Sequence, residues 1–200
     1  MNKPKTARSS SNQESRAHHE AELLLAISHR LDLTLTLSEG VAAIVGIAKE
    51  EIDAEIGSLF FNDPKTNELF FFVAEEEYKR VIRIPNTSGI AGHVFTTGKP
   101  TIIHDPYSDE RFNKKVDQET GFLTRSILCA PLKSAKGEII GVAELLNKRS
   151  GPFNDADMAL FTKMVLIGAL ALKRVHFPEL RTGGRAAKAH FTEPMKRRSE

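Results

Sequence analysis

Few residues in this chain have a type and spacing suited to catalysis, and the common catalytic patterns do not match. Gly92 and Gly98 have five intervening residues and are followed by Lys99-Pro100, whereas the phosphate loop of nucleotide hydrolases needs four residues and then Lys-Ser or Lys-Thr. His18 and His19 are adjacent, and no other pair of the seven histidines has the spacing of a metal-binding helix. No serine stands in a nucleophile-elbow sequence. We therefore predict no catalytic residue, no metal site and no enzyme activity.

The single cysteine, Cys129, excludes an intramolecular disulfide and a cysteine-based zinc site. It stands between Leu128 and Ala130 in an apolar run, which favours a buried, inert thiol over a reactive one. One cysteine in 200 residues also indicates a reducing compartment. We therefore expect a cytoplasmic protein.

Lys148 and Asp157 are spaced so that they can form an ion pair. Lys148 ends a predicted strand, and Asp157 lies in the first turn of the last predicted helix. Such a pair would hold the loop of residues 149–156 against the sheet. If the pair is buried, removing one partner costs about 3–5 kcal/mol. The expected role of this pair is structural support.

Length and composition predict one sizeable globular domain. The chain has 200 residues, of which 40% are hydrophobic and 27% charged, as in ordinary globular proteins. The longest apolar run, residues 164–172, is far shorter than the roughly 20 residues that span a bilayer, so no membrane span is expected. Basic residues outnumber acidic ones at both ends, and we expect disordered tails at residues 1–17 and 179–200. A mildly acidic body with basic ends does not match a nucleic-acid groove, which needs basic residues interleaved with aromatics on one surface, so no such groove is predicted.

The hydrophobic periodicity predicts helices at both ends of the domain. Apolar residues recur at steps of three and four in residues 18–37, and a second such pattern covers residues 38–53, with Ser38 as its N-cap. The last predicted helix covers residues 154–175 and is apolar almost all round between residues 164 and 172. That pattern predicts burial on two sides, by the sheet and by a partner helix.

Between these helices the pattern changes to short strands. Residues 56–62 and 68–74 form one predicted hairpin, and residues 125–132 and 138–146 form a second. Two further strands are predicted at residues 80–84 and 101–104, with a short helix at 89–97 between them. The polar stretch from residue 105 to 124 is too long for an idle connection and indicates a lid or binding loop. The fold class is therefore α+β, with one antiparallel sheet and helices packed on a face.

The residues between 81 and 148 also carry a family resemblance. They contain, in order, Gly-Ile-Ala-Gly, Thr-Thr-Gly, Val-Asp, Thr-Gly, Thr-Arg, Ile-Leu-Cys, Pro and Gly-Val-Ala-Glu-Leu-Leu-Asn-Lys. This run resembles the cyclic-nucleotide-binding GAF domains of phosphodiesterases and of bacterial adenylate or guanylate cyclases. The family's motif of Asn-Lys, a spacer, Phe, three residues and Asp-Glu stands here as Asn147, Lys148, Phe153 and Asp157, with Met158 in place of Glu.

The resemblance implies a single GAF domain over residues 18–178. Its sheet would have about six antiparallel strands, with the first, second and last helices on one face. A ligand pocket under a lid would lie on the other face. Some GAF domains reduce methionine sulfoxide, but that reaction cycle requires several cysteines. This chain has a single cysteine, which cannot form an intramolecular disulfide, so we do not expect this activity.

The resemblance also implies a set of ligand contacts. The short helix opening at Ile90 and Ala91 would direct its free N–H groups at the nucleotide phosphate, with Asn113 nearby. Asp117, Thr120 and Thr124 match lid residues of similar domains, which lie over the ribose and phosphate. Ser58 and Glu144 match positions that contact the base.

Two positions depart from the family pattern. Where the cyclic-GMP-binding relatives have an aromatic residue followed by Asp, this chain has Ala74 and Glu75. Stacking of a base on an aromatic ring contributes roughly 1–3 kcal/mol in single-strand recognition. Bacterial cyclase-associated GAF domains often have Val-Ala-Glu here, as residues 73–75 do. The choice between cAMP and cGMP therefore stays open.

We expect a regulatory sensor that binds a cyclic nucleotide, cAMP or cGMP, needs no cofactor, and signals through its terminal helices. Those helices are also expected to form a homodimer, and a separate protein is expected to carry the output. The alternative function is a ligand-free GAF scaffold that acts through dimerisation and protein–protein contact. Nucleotide titration distinguishes the two.

Overall fold

The computed structural model describes residues 6–32, 37–73 and 82–172. Within them, helices and strands follow one another as α1 (Thr6–Asp32), α2 (Leu37–Ile52), β1 (Ala54–Asp63), β2 (Glu68–Val73), β3 (Ile82–Pro85), α3 (Gly89–Thr97), β4 (Thr101–Ile103), α4 (Lys114–Thr120), β5 (Ile127–Lys133), β6 (Ile139–Lys148) and α5 (Asp155–Leu172). A 3₁₀ turn, Pro106–Ser108, precedes α4.

The six strands form one antiparallel sheet in the order β3-β2-β1-β6-β5-β4. Tight turns close the two hairpins, and Asn67 and Gly137 there adopt the left-handed backbone conformation that these residue types tolerate. The central strands β1 and β6 pair with each other although they lie far apart in the sequence. The predicted α+β class and the antiparallel sheet of six strands are confirmed.

Different elements pack on the two faces of the sheet. Successive residues of a strand point to opposite faces, so they belong to different apolar clusters. Leu59, Leu128 and Leu145 belong to a cluster with buried residues of α1, α2 and α5. Their strand neighbours belong to a second cluster with α3 and β4 on the opposite face. The helical layer therefore covers one face, and α3 with the segment that follows it covers the other, as the resemblance implies.

Helix α5 is buried on two sides within the chain. One side packs on β5, and the other packs against α1 and α2. Gly168 allows the close approach of α2, because a β-carbon there would lie 2.6 Å from Ile44 Cδ1. An ion pair between Lys163 and Glu20 joins α5 to α1 at the surface. The partner helix that the apolar pattern predicts is thus supplied by this chain's own α1 and α2.

Helix α1 begins at Thr6, well before the start that the apolar spacing predicts. Residues 6–17 are polar, so they continue the helix without adding to its apolar stripe, and periodicity alone does not detect them. The predicted helical stretch at residues 33–36 and the predicted tail at 179–200 lie outside the described residues. The domain limits at residues 18 and 178 remain predictions. None of the described helices has the length and apolar character needed to cross a membrane.

Candidate functional site

A row of three polar or polarisable side chains crosses the face of the sheet that α3 covers. Ser58 of β1 is paired with Glu144 of β6, and Glu144 is paired on its other side with Cys129 of β5. Ser58 and Cys129 are buried, and Glu144 is partly buried. The neighbours of this row on the same face, Phe60 and Val142, are apolar. The row therefore places a carboxyl group and a hydroxyl group on an otherwise apolar floor.

The pKa of Glu144 is raised to about 7, chiefly because burial penalises the ionised form. A hydrogen bond with the Cys129 thiol acts in the opposite direction. Burial, together with the neighbouring carboxyl, raises the pKa of Cys129 well above its usual value. The thiol is therefore neutral and unreactive, as its apolar sequence context predicts. Glu144 can act as a hydrogen-bond donor when protonated and as an acceptor when ionised.

The raised pKa of Glu144 predicts that stability falls as pH rises. The folded protein holds this proton at pH values where the unfolded chain has lost it. The contribution of Glu144 to the free energy of unfolding is therefore fully present below about pH 4.5 and is lost as pH rises through about 7. Glu144→Gln is expected to remove this dependence and to gain on the order of 2 kcal/mol over the native protein by pH 8. Urea unfolding of both proteins at pH 5 and pH 8 measures the difference, and a difference that does not change with pH would rule out the assignment.

Helix α3 lies over this floor with its first turn buried. Ile90, Ala91 and Val94 pack into the same cluster as Phe60 and Cys129. Ser88 is the N-cap residue, but its hydroxyl makes no capping hydrogen bond within the described chain. The first N–H groups of α3 have no acceptor inside the helix, as at any helix N-terminus, and they carry its positive dipole end.

Two glycines in the α3 region are required by close packing or backbone conformation. A β-carbon on Gly92 would lie 2.4 Å from the carbonyl carbon of Thr87, so this position excludes any other residue without a backbone shift. Gly89 has a positive φ of 71°, and a β-carbon there would lie 3.7 Å from the Asn113 Cβ. The start of α3 and Asn113 are therefore neighbours, as the resemblance implies.

Asn113 is the N-cap of α4. Its side-chain oxygen accepts a hydrogen bond of 3.2 Å from the Lys115 N–H. This bond satisfies one of the free N–H groups at the start of α4. The α4 helix ends at Gly121, whose φ of 71° is the left-handed cap conformation.

Asp117 and Thr124 are brought together, and they bond to each other. Asp117 Oδ2 accepts the Thr124 N–H at 2.7 Å, and Asp117 Oδ1 accepts the Thr124 hydroxyl at 2.7 Å. The Tyr107 hydroxyl donates to Asp117 Oδ2 at 3.0 Å. Asp117 and Thr124 are only 6% and 3% exposed. We call this group of three residues, Tyr107, Asp117 and Thr124, the lid latch. Asp117 therefore connects α4 to residues near both ends of the segment 105–124.

Tyr107 is a site residue that sequence reasoning missed. Its ring packs against Phe112 with centroids 5.4 Å apart, and the Lys114 Nζ lies 5.4 Å from the ring centroid. Its pKa is raised, first by desolvation and then by the hydrogen bond to Asp117. The sequence feature that could have identified Tyr107 is its position as an aromatic residue inside the long polar stretch of residues 105–124. Nearby, hydrogen bonds from Arg111 lower the pKa of Asp109 to about 2.

The predicted ion pair between Lys148 and Asp157 forms. Lys148 Nζ lies 2.7 and 2.6 Å from the two carboxylate oxygens, and the side chains are 12% and 14% exposed. Asp157 also accepts the Asn154 N–H at 2.9 Å, while the Asn154 side chain accepts the Asp157 N–H at 3.1 Å. This reciprocal pattern is a capping box at the start of α5. Phe153 is buried in the core beside it.

Asn147 joins several segments at the end of β6. Its φ of 56° is left-handed, which Asn tolerates better than most residues. The side-chain oxygen accepts the Arg125 N–H at 2.6 Å and the Ser126 N–H at 3.2 Å. The side-chain nitrogen donates to Glu55 Oε2 at 2.8 Å and to the Leu123 carbonyl at 2.9 Å. This motif residue therefore anchors the chain leaving the lid latch to the sheet.

Three predicted contacts have no described side-chain geometry. Ala74 and Glu75 lie outside the described residues. Thr120 is the last residue of α4, and its side chain is also outside the described part of the chain. Among the described residues, no group of three or more His, Cys, Asp or Glu is arranged to hold a metal ion.

A profile of the GAF domain family matches residues 34–173, which is most of the chain. The chain belongs to the GAF domain family. A GAF domain is a regulatory domain of signal-transduction proteins, and the resemblance found in the sequence is confirmed.

Two curated relatives of this GAF domain are phosphodiesterases. The chain is 38% identical over 108 residues to the dual 3′,5′-cyclic-AMP and -GMP phosphodiesterase 11 of Drosophila melanogaster, covering 54% of this chain and 7% of that protein. It is 35% identical over 144 residues to a probable 3′,5′-cyclic phosphodiesterase of Caenorhabditis elegans, covering 66% of this chain and 20% of that protein. The chain thus spans a small part of each relative.

Solved GAF structures share the fold at low sequence identity. The GAF domain of an Acinetobacter phosphoenolpyruvate-protein phosphotransferase superposes with a TM-score of 0.65 at 14% identity, covering 78% of this chain and 93% of that one. Free methionine-R-sulfoxide reductase from Neisseria meningitidis superposes with a TM-score of 0.62 at 19% identity, covering 79% of this chain and 90% of that one. These similarities support the fold.

Proposed function

We propose that this GAF domain is a regulatory sensor that binds a 3′,5′-cyclic nucleotide between the sheet and the cover formed by α3 and residues 105–124. The observation that carries the proposal is the polar row of Ser58 and Glu144 on the apolar floor that α3 covers. The relatives support the same ligand class, because one is a dual 3′,5′-cyclic-AMP and -GMP phosphodiesterase and the other is a probable 3′,5′-cyclic phosphodiesterase.

The phosphate end of the ligand would lie at the α3 N-terminus. A cyclic phosphodiester carries one negative charge, which backbone N–H groups at a helix start can hold without an arginine. Gly89 permits close approach, and Asn113 lies beside it. The lid latch would close over the ribose, with Thr120 at the end of α4 as a further hydroxyl group.

The base end would lie over Ser58 and Glu144. A protonated Glu144 donates a hydrogen bond to an acceptor on the purine edge, whereas an ionised one accepts from an amino group. Because its pKa is close to neutral, either base can be accommodated by a change in protonation. Ala74 and Glu75 complete the predicted base contacts.

The signal would pass from the lid to the terminal helices. Ligand binding would order residues 105–124 and so change how the first and last helices lie. For this change to occur, the ligand must bind the two arrangements of these helices with different affinity. We propose that a homodimer, formed through the first and last helices, and a separate output protein carry the response. The proposed location is the cytoplasm, with no membrane span and no nucleic acid as a partner.

Calorimetric titration with cAMP and cGMP tests the binding proposal. At least one nucleotide is expected to bind, and saturation at 100 times the dissociation constant should stabilise the fold by about 2.7 kcal/mol. Thr124→Ala is expected to weaken binding about tenfold, because one hydroxyl of the lid latch is lost. Gln118→Ala, an exposed position on α4, is the matched control and should bind normally.

Linear 5′-AMP and 5′-GMP are the ligand controls, because their phosphate carries a second charge and no ring. If neither cyclic nucleotide binds at millimolar concentration, the sensor proposal fails and the scaffold function replaces it. If the linear and cyclic nucleotides bind equally, the phosphate end is assigned to the wrong site.

A further inference from the structure

The lid segment, residues 105–124, is acidic, although the ligand proposed to lie beneath it is an anion. The segment contains five acidic and three basic residues. Two of the basic side chains have partners, because Arg111 bonds to Asp109 and the Lys114 Nζ lies 5.4 Å from the Tyr107 ring centroid. The lid segment therefore presents more negative than positive charge to a ligand.

Asp117 is the most buried acidic side chain described in the lid segment, at 6% exposed. Its two oxygens face three donors, which are the N–H and hydroxyl of Thr124 and the hydroxyl of Tyr107. Three donors around one side chain are what an ionised carboxylate accepts. Among the described residues, Asp117 forms no ion pair. Its negative charge is therefore buried in the lid without a neutralising cation, where water screens it less than a surface charge.

Asp117 lies close to the helix start that we propose for the phosphate. A β-carbon on Gly89, the first residue of α3, would lie 3.7 Å from the Asn113 Cβ. Asp117 follows Asn113 by four residues, which is roughly 6 Å along the axis of α4 and on the same face of that helix. The carboxylate is thus on the order of 10 Å from the first N–H groups of α3, a distance at which charges still interact at physiological ionic strength.

We propose that Asp117 is a specificity-determining residue that admits a singly charged phosphodiester and rejects a doubly charged phosphate monoester. This inference rests on the proposed function. The α3 N-terminus carries the equivalent of about half an elementary charge, which is less than the full opposing charge of the carboxylate. A second negative charge on the ligand therefore adds more repulsion than attraction, and it also loses more hydration on entering the site. Discrimination by an unfavourable contact is a general route to specificity.

Asp117→Asn tests this role because it removes the charge and keeps the shape of the side chain. The amide oxygen can accept from the Thr124 N–H and the Tyr107 hydroxyl, and the amide NH₂ can donate to the Thr124 hydroxyl. The lid latch is therefore expected to persist. Hydrogen exchange of the Thr124 amide checks this, and it should stay as slow as in the native protein.

Calorimetry on the full chain compares three ligands with the same base. They are the cyclic nucleotide that the native protein binds, the linear 5′-mononucleotide, and its 5′-phosphoramidate. The phosphoramidate is linear and of equal size, but it carries one charge because an NH₂ group replaces one phosphate oxygen. The native protein is expected to bind the phosphoramidate about tenfold more tightly than the mononucleotide.

Asp117→Asn should strengthen binding of the two singly charged ligands about threefold and of the mononucleotide about tenfold, because Coulomb repulsion doubles with the ligand charge. The gap between cyclic and linear nucleotide therefore narrows. Glu110→Gln is the matched control, since it removes an exposed charge from the same lid segment. It should change each affinity by less than about twofold, because an exposed charge is screened by water and salt.

Two kinds of failure are distinguishable. If neither cAMP nor cGMP binds the native protein, the proposed function and this inference both fail. If a cyclic nucleotide binds but Asp117→Asn leaves the ratio of cyclic to linear affinity unchanged, only the inference is overturned. The same holds if Glu110→Gln narrows the gap equally, which assigns the selectivity to net charge, or if the phosphoramidate binds as weakly as the mononucleotide, which assigns it to the phosphate ring.

Discussion

Replacing Asp157 with alanine is expected to lower the free energy of unfolding by about 2–4 kcal/mol. The substitution leaves the Lys148 ammonium largely buried without its carboxylate, and it removes the acceptor of the Asn154 N–H at the start of α5. Both losses act on the loop that holds α5 against the sheet. Urea unfolding followed by circular dichroism measures the change.

Asp155→Ala is the matched control, because Asp155 lies in the same first turn and is exposed. It is expected to change stability by less than about 0.5 kcal/mol. The double variant Lys148→Met with Asp157→Leu should lose less than the sum of its single changes, since no charge is left buried alone. Equal effects of Asp155→Ala and Asp157→Ala would show that the ion pair does not support the fold.

Replacing Asp117 with alanine is expected to lower the free energy of unfolding by about 2–3 kcal/mol. The change leaves the buried N–H and hydroxyl of Thr124 without their acceptor and frees Tyr107. Thr124→Val removes one of these bonds and should cost about 1 kcal/mol. Hydrogen exchange of the Thr124 amide is expected to accelerate strongly in the Asp117 variant.

The same Asp117 variant separates a positioning role from a direct ligand contact. If Asp117 positions the lid, Tyr107→Phe should weaken nucleotide binding in the same direction but less, because it loosens the same latch. Gln118→Ala on the neighbouring surface should change neither stability nor exchange. Slow exchange at Thr124 in the Asp117 variant would disprove the latch.

The sheet and the motif could be predicted from the sequence because local patterns determine them. Alternation of apolar residues identifies the hairpins, and the polar connections between them limit where the chain turns. The spacing of Lys148 and Asp157 across a strand end and a helix start was sufficient to predict their contact, which forms. The family resemblance supplied the placement of α3 over the sheet.

The lid latch could not be predicted, because its bonds join residues whose partners depend on the path of the lid. The resemblance implied that Asp117 and Thr124 both contact the ligand, and it gave no contact between them. Helix α4 ends at Thr120, before Thr124. The chain turns at Gly121 instead and returns the Thr124 N–H and hydroxyl to Asp117. A ligand role and a latch role require the same residue types, so sequence alone does not separate them.

The burial of α5 shows a similar limit. An almost uniformly apolar helix requires cover on two sides, and the pattern contains no information on whether the cover comes from the same chain. Here α1 and α2 supply it. Exposed apolar side chains remain on both outer helices, Leu25 on α1 and Leu166 and Leu170 on α5.

Backbone amide NMR during nucleotide titration tests the central proposal most directly. Cyclic nucleotide bound between sheet and lid should shift the amides at the start of α3, Ile90 and Ala91, together with Asn113 and the strand residues Ser58 and Glu144. Saturating shifts confined to the helical layer, or no shifts at millimolar cAMP and cGMP, would contradict the account.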